Sequence, residues 1–200
     1  MSKKLSVVCF GEVLWDHFPT YSKVGGAPLN VALRLKSLGS EVTIISAIGN
    51  DSYGDQIIKL LNKADIDYES LTRNSYKTGA VNVVLNEKGN ASYDIVYPSA
   101  WDKIEFNEEI AKKVVESDVF VFGSLATRDE DSKMSLKFYL NRANYKVFDV
   151  NLRSPHYTYE GINELMDIAD MIKLNDEELY EIAWALGSKY NSFRQNIEFL

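Results

Sequence analysis

Val24-Gly25-Gly26-Ala27-Pro28-Leu29-Asn30-Val31-Ala32-Leu33 runs from two adjacent glycines straight into a helical pattern that Gly39 closes. The apolar run Val42–Ile48 comes next. A turn stripped of side chains, an amphipathic helix and a buried strand in that order define one helix–strand unit. The same unit recurs outward in both directions. Leu5–Phe10, Val42–Ile48, Val119–Phe122, Val147–Val150 and Met171–Leu174 read as short buried strands, most of them rich in β-branched or aromatic residues. Leu29–Leu38, Asp55–Ala64, Glu108–Glu116, Asp131–Ala143, Ile162–Ala169 and Glu177–Leu186 read as helices between them. Strands apolar on both faces, alternating with helices, predict an α/β fold with a parallel sheet covered on each side. One segment breaks the rhythm. Gly79–Leu85 and Ala91–Tyr97 flank the turn-rich Asn86–Asn90 and predict a β-hairpin, a flap apart from the main sheet or an extra edge pair on it.

The 200 residues are 46% hydrophobic and 26% charged, with a formal charge of −7. The pI is about 5.0, and no basic stripe interrupts the scattered lysines and arginines, which argues against a nucleic-acid partner. Cys9 lies alone in an apolar run and has no disulfide partner in the chain. The apolar run after Met1-Ser2-Lys3-Lys4 stops at Gly11, too short for a signal peptide, and no stretch approaches a membrane span. The expectation is a cytoplasmic protein with no membrane partner. Ser192–Leu200 begins like a helix and stops on an apolar residue without a cap, so a further strand is expected after it.

Two glycines before a helix let a ligand approach bare main chain at a positive dipole end, with Asn30 adding a donor and an acceptor. A tight turn entering a helix is the plainer alternative. In open parallel sheets ligands sit beyond the carboxyl ends of strands. Asp16, just past Leu5–Phe10, is therefore placed to accept hydrogen bonds from vicinal hydroxyls, or is a solvated loop aspartate. Asn151 and Arg153 follow the strand Val147–Val150, and an arginine fork there suits a phosphate. Asn175 and Glu178 share one side of a first helical turn, where helix capping and placement of magnesium through water are both open. The dinucleotide fingerprint and the P-loop are absent, neither His17 nor His156 has a companion at metal-ligand spacing, and no nucleophile elbow occurs.

Together these residues resemble the PfkB, ribokinase-like carbohydrate kinases. The resemblance runs through Gly11–Asp16, Gly25–Ala32, Leu38-Gly39, Ile48–Gly54, Asp149–Arg153 and Asn175–Glu178, and is strongest towards bacterial fructokinase-like members. It implies a three-layer α/β/α fold with a mostly parallel central sheet, and a small β-sheet lid built from segments about 12–24 and 78–104. Asp16, Gly25, Gly26 and Asn30 would grip sugar hydroxyls, with Ala80, Tyr97 and Trp101 near them in the lid. Asn151 and Arg153 would face the transferred phosphate of ATP, and Asn175 with Glu178 would organise Mg2+. Lid sheets of this kind suggest a homodimer. The family's glycine-rich turn ending in the catalytic aspartate has no match in these residues, so no catalytic base is expected within the chain. It is expected to be the N-terminal part of a kinase, inactive alone, with base and nucleotide site downstream. The competing expectations are a non-catalytic sugar-binding or interaction module and a nucleoside kinase. Asp94 and Ser99 beside Trp101 suggest a polar-aromatic lid suited to a plain sugar, fructose first.

Overall fold

The computed structural model describes residues 4–85 and 91–200; the hairpin turn expected at 86–90 lies outside the described residues. Six strands form a wholly parallel sheet in the spatial order β10-β9-β8-β1-β4-β5. They are β1 (Ser6–Phe10), β4 (Glu41–Gly49), β5 (Leu71–Asn74), β8 (Val119–Gly123), β9 (Lys146–Asp149) and β10 (Met171–Lys173). Alternation along β1 shows why both faces must be covered. Val8 and Phe10 pack with Ile45, Phe120, Phe122 and Phe148 on one face. Val7 and Cys9 pack with Ile44 and Val121 on the other.

Helices α1 (Ala27–Ser37) and α2 (Ser52–Lys63) cover the Val7/Cys9 face through Leu29, Ala32, Ile57 and Leu61. Helices α3 (Glu108–Glu116), α4 (Glu130–Leu140), α5 (Tyr159–Ile168) and α6 (Asp176–Ala185) cover the Phe10 face through residues such as Val114, Leu136, Leu165 and Ile182. A last helix, α7 (Phe193–Phe199), packs on α6. The result is the three-layer α/β/α arrangement of a ribokinase-like fold. Burial of the Cys9 thiol raises its pKa to about 12, which leaves it an unreactive core group.

The chain leaves β1 to build the sheet on one side through β4 and β5, then returns to β1 and continues on the other through β8, β9 and β10. The order reverses between β1 and β8, so a crevice opens beyond their carboxyl ends. A second sheet stands over that crevice in the order β3-β2-β6-β7, built from β2 (Leu14–His17), β3 (Ser22–Gly25), β6 (Gly79–Leu85) and β7 (Ala91–Ile95). Sequence reading had no strand at Leu71–Asn74. That edge strand is short and polar, and its Asn74 is occupied by Ala100 O at 2.9 Å.

The end of β7 is fastened to the body by Arg128, which a buried ion pair holds in place. Arg128 donates Nε and Nη2 to the two carboxylate oxygens of Asp102 at 2.7 and 2.8 Å, and Nη2 also reaches Val96 O at 2.8 Å. Its guanidinium lies 4.0 Å from the centroid of the Trp101 ring. Both charges are almost wholly buried, so each depends on the other.

Candidate active site

A cavity of about 500 Å³ fills the crevice between the two sheets, the size range of a small-molecule site. Strand register explains its upper wall. Asp16 lies opposite Lys23 on one side and Val81 on the other, while Leu14 lies opposite Gly25 and Gly79. Val81 in turn faces Ile95, and Val83 faces Tyr93. Residues opposite one another share a face, so Leu14, Asp16, Val81, Tyr93 and Ile95 all line the cavity.

The glycine pair meets Asp16 directly. A Cβ on Gly25 would overlap the Asp16 carboxylate, and one on Gly26 would collide with Glu12 O. Gly26 has φ 107°, a backbone region that glycine enters freely, and it is the N-cap of α1. Asn30, one turn into α1, also lines the cavity. Burial raises the pKa of Asp16, opposed by the charges of Lys23, Arg153 and His17.

The opposite wall comes from β9 and the loop after it. Asp149, Asn151 and Arg153 reach the cavity. Asn151 has φ 45°, a left-handed conformation that asparagine tolerates better than most residues. Asp149 Oδ1 is held 2.9 Å from Lys173 Nζ. Glu178 steadies the loop by accepting the Leu152 N–H at 2.9 Å, between the two residues that reach the cavity.

The cavity therefore brings together Asp16, Gly26, Asn30, Asn151 and Arg153, with Gly25 against Asp16. Four other expected residues lie elsewhere. Trp101 is wholly buried, packed with Leu14, Val83 and Leu125 behind the wall. Tyr97 is exposed and donates its hydroxyl to Asp129 Oδ2 at 2.8 Å. Asn175 and Glu178 form a reciprocal capping box on α6, each accepting the other's N–H at 2.9 Å. With both Glu178 oxygens and Asn175 Oδ1 given to main-chain donors, the pair does not fit a direct magnesium site. Among the described residues no three His, Cys, Asp or Glu side chains group as a metal site.

The expected polar-aromatic lid also needs correction. Asp94 pairs in register with Asn82, on the face away from Val81 and Ile95, and Ala80 alternates with Val81 in the same way. Ser99 is buried, with its N–H on Asp102. The wall facing the cavity is Val81, Ile95 and Tyr93, more apolar than expected.

Sequence reading missed Glu12. It lines the cavity and is 2% exposed. Its Oε1 accepts the Ala27 N–H at 3.0 Å, tying the end of β1 to the first turn of α1. Its Oε2 is buried with no partner among the described residues. Burial raises its pKa from 4.5 to about 7, against the lowering effect of main-chain N–H groups and Arg153. A glutamate at a strand's carboxyl end, directly before the turn, was the available signal.

The model of the pfkB family carbohydrate kinases matches residues 5–195. A probable fructokinase-7 of Arabidopsis thaliana is 27% identical over 197 aligned residues, covering 86% of this chain and 57% of that protein. A putative sugar kinase of Pyrococcus horikoshii is 29% identical over 166 residues, covering 78% of this chain and 53% of its own length. The crystal structure of a fructokinase with bound ATP from Xylella fastidiosa superposes with a TM-score of 0.83 at 25% identity, covering 96% of this chain and 65% of that one. The chain thus spans between half and two thirds of these relatives. Strand order, cavity position and these matches agree: the chain belongs to the PfkB family of carbohydrate kinases.

Proposed function

We propose that this chain supplies the sugar-binding part of an ATP-dependent, fructokinase-like kinase that phosphorylates a sugar hydroxyl. The observation that carries the reading is the Asp16 carboxylate set against the bare main chain of Gly25, in a cavity whose far wall holds Asn151 and Arg153. Asp16, Gly26 and Asn30 would hold hydroxyls, and the apolar Val81–Ile95 wall would pack on the C–H face of the ring. Arg153 would offer its guanidinium to phosphate oxygens, and Asn151 an amide. The second sheet, covering the crevice, would keep water from the transferred group.

ATP bound to the Xylella relative supports the nucleotide. It would arrive with Mg2+, whose contact with Asn175 and Glu178 would pass through water. Within this proposal the base that takes the sugar proton, and the nucleotide cradle, belong to the sequence that the longer relatives add. The chain alone would then bind sugar without phosphorylating it. A cytoplasmic setting accords with the absence, among the described residues, of any helix long and apolar enough to cross a membrane. The outer strands β3 and β7 would be the edges through which two copies pair.

A nucleoside kinase is the second reading, favoured by the apolar cavity wall. Calorimetric titration of wild type and Asp16→Ala with fructose, ribose and adenosine separates them. Fructose or ribose binding that weakens at least about tenfold in Asp16→Ala supports the sugar reading. Adenosine binding alone selects the nucleoside kinase, and sugar affinity unchanged by the substitution removes Asp16 from the site.

A further inference from the structure

Glu12 is half satisfied. Its Oε1 is fixed by the Ala27 N–H, while Oε2, on a side chain 2% exposed in the cavity wall, meets no donor among the described residues. A buried carboxylate oxygen without a partner is costly, and native structures keep few of them. Among the described residues, no side chain of the cavity wall supplies that donor. Asp149 Oδ1 from β9 lies 2.9 Å from Lys173 Nζ without a hydrogen bond, Asp16 from β2 lies opposite Lys23 in the register, and Arg153 turns Nη1 to Leu152 O at 2.8 Å. The donor that Glu12 lacks is one that a ligand in the cavity can bring.

We propose that Glu12 contacts the ligand directly: its free Oε2 accepts a hydrogen bond from one hydroxyl of the bound sugar, adding a second carboxylate to the grip of Asp16. The cavity then selects polyols that present a hydroxyl at this buried position and discriminates against analogues that lack it. This rests on the sugar-binding reading above. Oε1 holds Glu12 in place through Ala27, so the acceptor is oriented before the ligand arrives.

The test is calorimetry at pH 8 with D-fructose and its monodeoxy analogues on wild type, Glu12→Gln and Asp16→Asn. One analogue is expected to bind wild type about tenfold or more weaker than fructose. That penalty shrinks in Glu12→Gln, where a neutral amide donor replaces the charged acceptor, and persists in Asp16→Asn. A general loosening of the fold weakens fructose and analogue alike and leaves the ratio unchanged, so the cycle reads the contact itself. Identical penalties for every analogue in wild type and Glu12→Gln overturn the assignment. If wild type binds no sugar, the sugar-binding reading fails and takes this inference with it. If sugar binds and Asp16→Asn weakens it while Glu12→Gln shows no coupling, the Glu12 contact alone fails.

Discussion

Replacing Glu12 by glutamine should make stability less dependent on pH, because the wild-type chain buries an ionisable group where its charge is poorly compensated. Burial raises the Glu12 pKa from 4.5 to about 7; the lowering from main-chain N–H groups and Arg153 is smaller, and Asp149 adds to the rise. A rise of that size corresponds to a preference for the neutral form of about 3 kcal/mol at about 1.4 kcal/mol per pH unit. The folded state holds its proton more tightly than the unfolded chain. This contribution is therefore fully present below pH 4.5 and is lost as the pH climbs through about 7. Glutamine keeps an acceptor for the Ala27 N–H and never ionises. Thermal melts of both proteins at pH 5 and pH 8 make the comparison, and every other titrating group cancels between them. Relative to wild type, Glu12→Gln should gain up to about 3 kcal/mol between the two pH values, a melting shift of about 6–12 °C for a chain of this size. Parallel pH profiles in the two proteins would refute a buried, uncompensated Glu12.

Other perturbations read other parts of the structure. Gly25→Ala should push the Asp16 carboxylate out of position, and Gly26→Ala adds strain at φ 107° to a collision with Glu12 O. Each should weaken fructose binding at least about tenfold by calorimetry, and Gly26→Ala, which meets main chain, should also cost about 1–3 kcal/mol in denaturant melts; wild-type affinity in either variant would contradict the close packing described. Asp102→Ala leaves the Arg128 charge buried without a partner, an expected loss of about 3–5 kcal/mol. Replacing both residues by apolar ones should cost less than that single change, and an unchanged melting temperature in Asp102→Ala would show the pair to be dispensable.

The body of the fold was legible because its signals are local. Runs such as Val7-Val8-Cys9-Phe10 are apolar on both faces, which only a covered parallel strand requires, and Glu108–Glu116 forms the helix its pattern predicts. Leu71–Asn74 was invisible because Thr72, Arg73 and Asn74 carry no apolar pattern; the strand exists by pairing with Ser46–Gly49. Asp16, Gly26 and Asn30 converge because strand ends and helix starts meet at a switch point, a rule that operates on sequence order. Trp101 and Tyr97 were misjudged for a different reason. Nearness to the hairpin in sequence does not reveal which face a side chain takes, and the register turns Val81, Tyr93 and Ile95 inward instead. Glu12 escaped notice because its significance is burial, and burial belongs to the assembled crevice.

Amide chemical shifts of the 15N-labelled chain during a D-fructose titration would report most directly on the central claim, that carbohydrate rests on main chain at Gly25 and Gly26 within reach of Asp16. Saturable shifts confined to the amides of Gly25, Gly26, Ala27, Asn30 and Asn151, absent in Asp16→Ala, are the predicted result. Saturable shifts clustered elsewhere, or an unchanged response in Asp16→Ala, would contradict it.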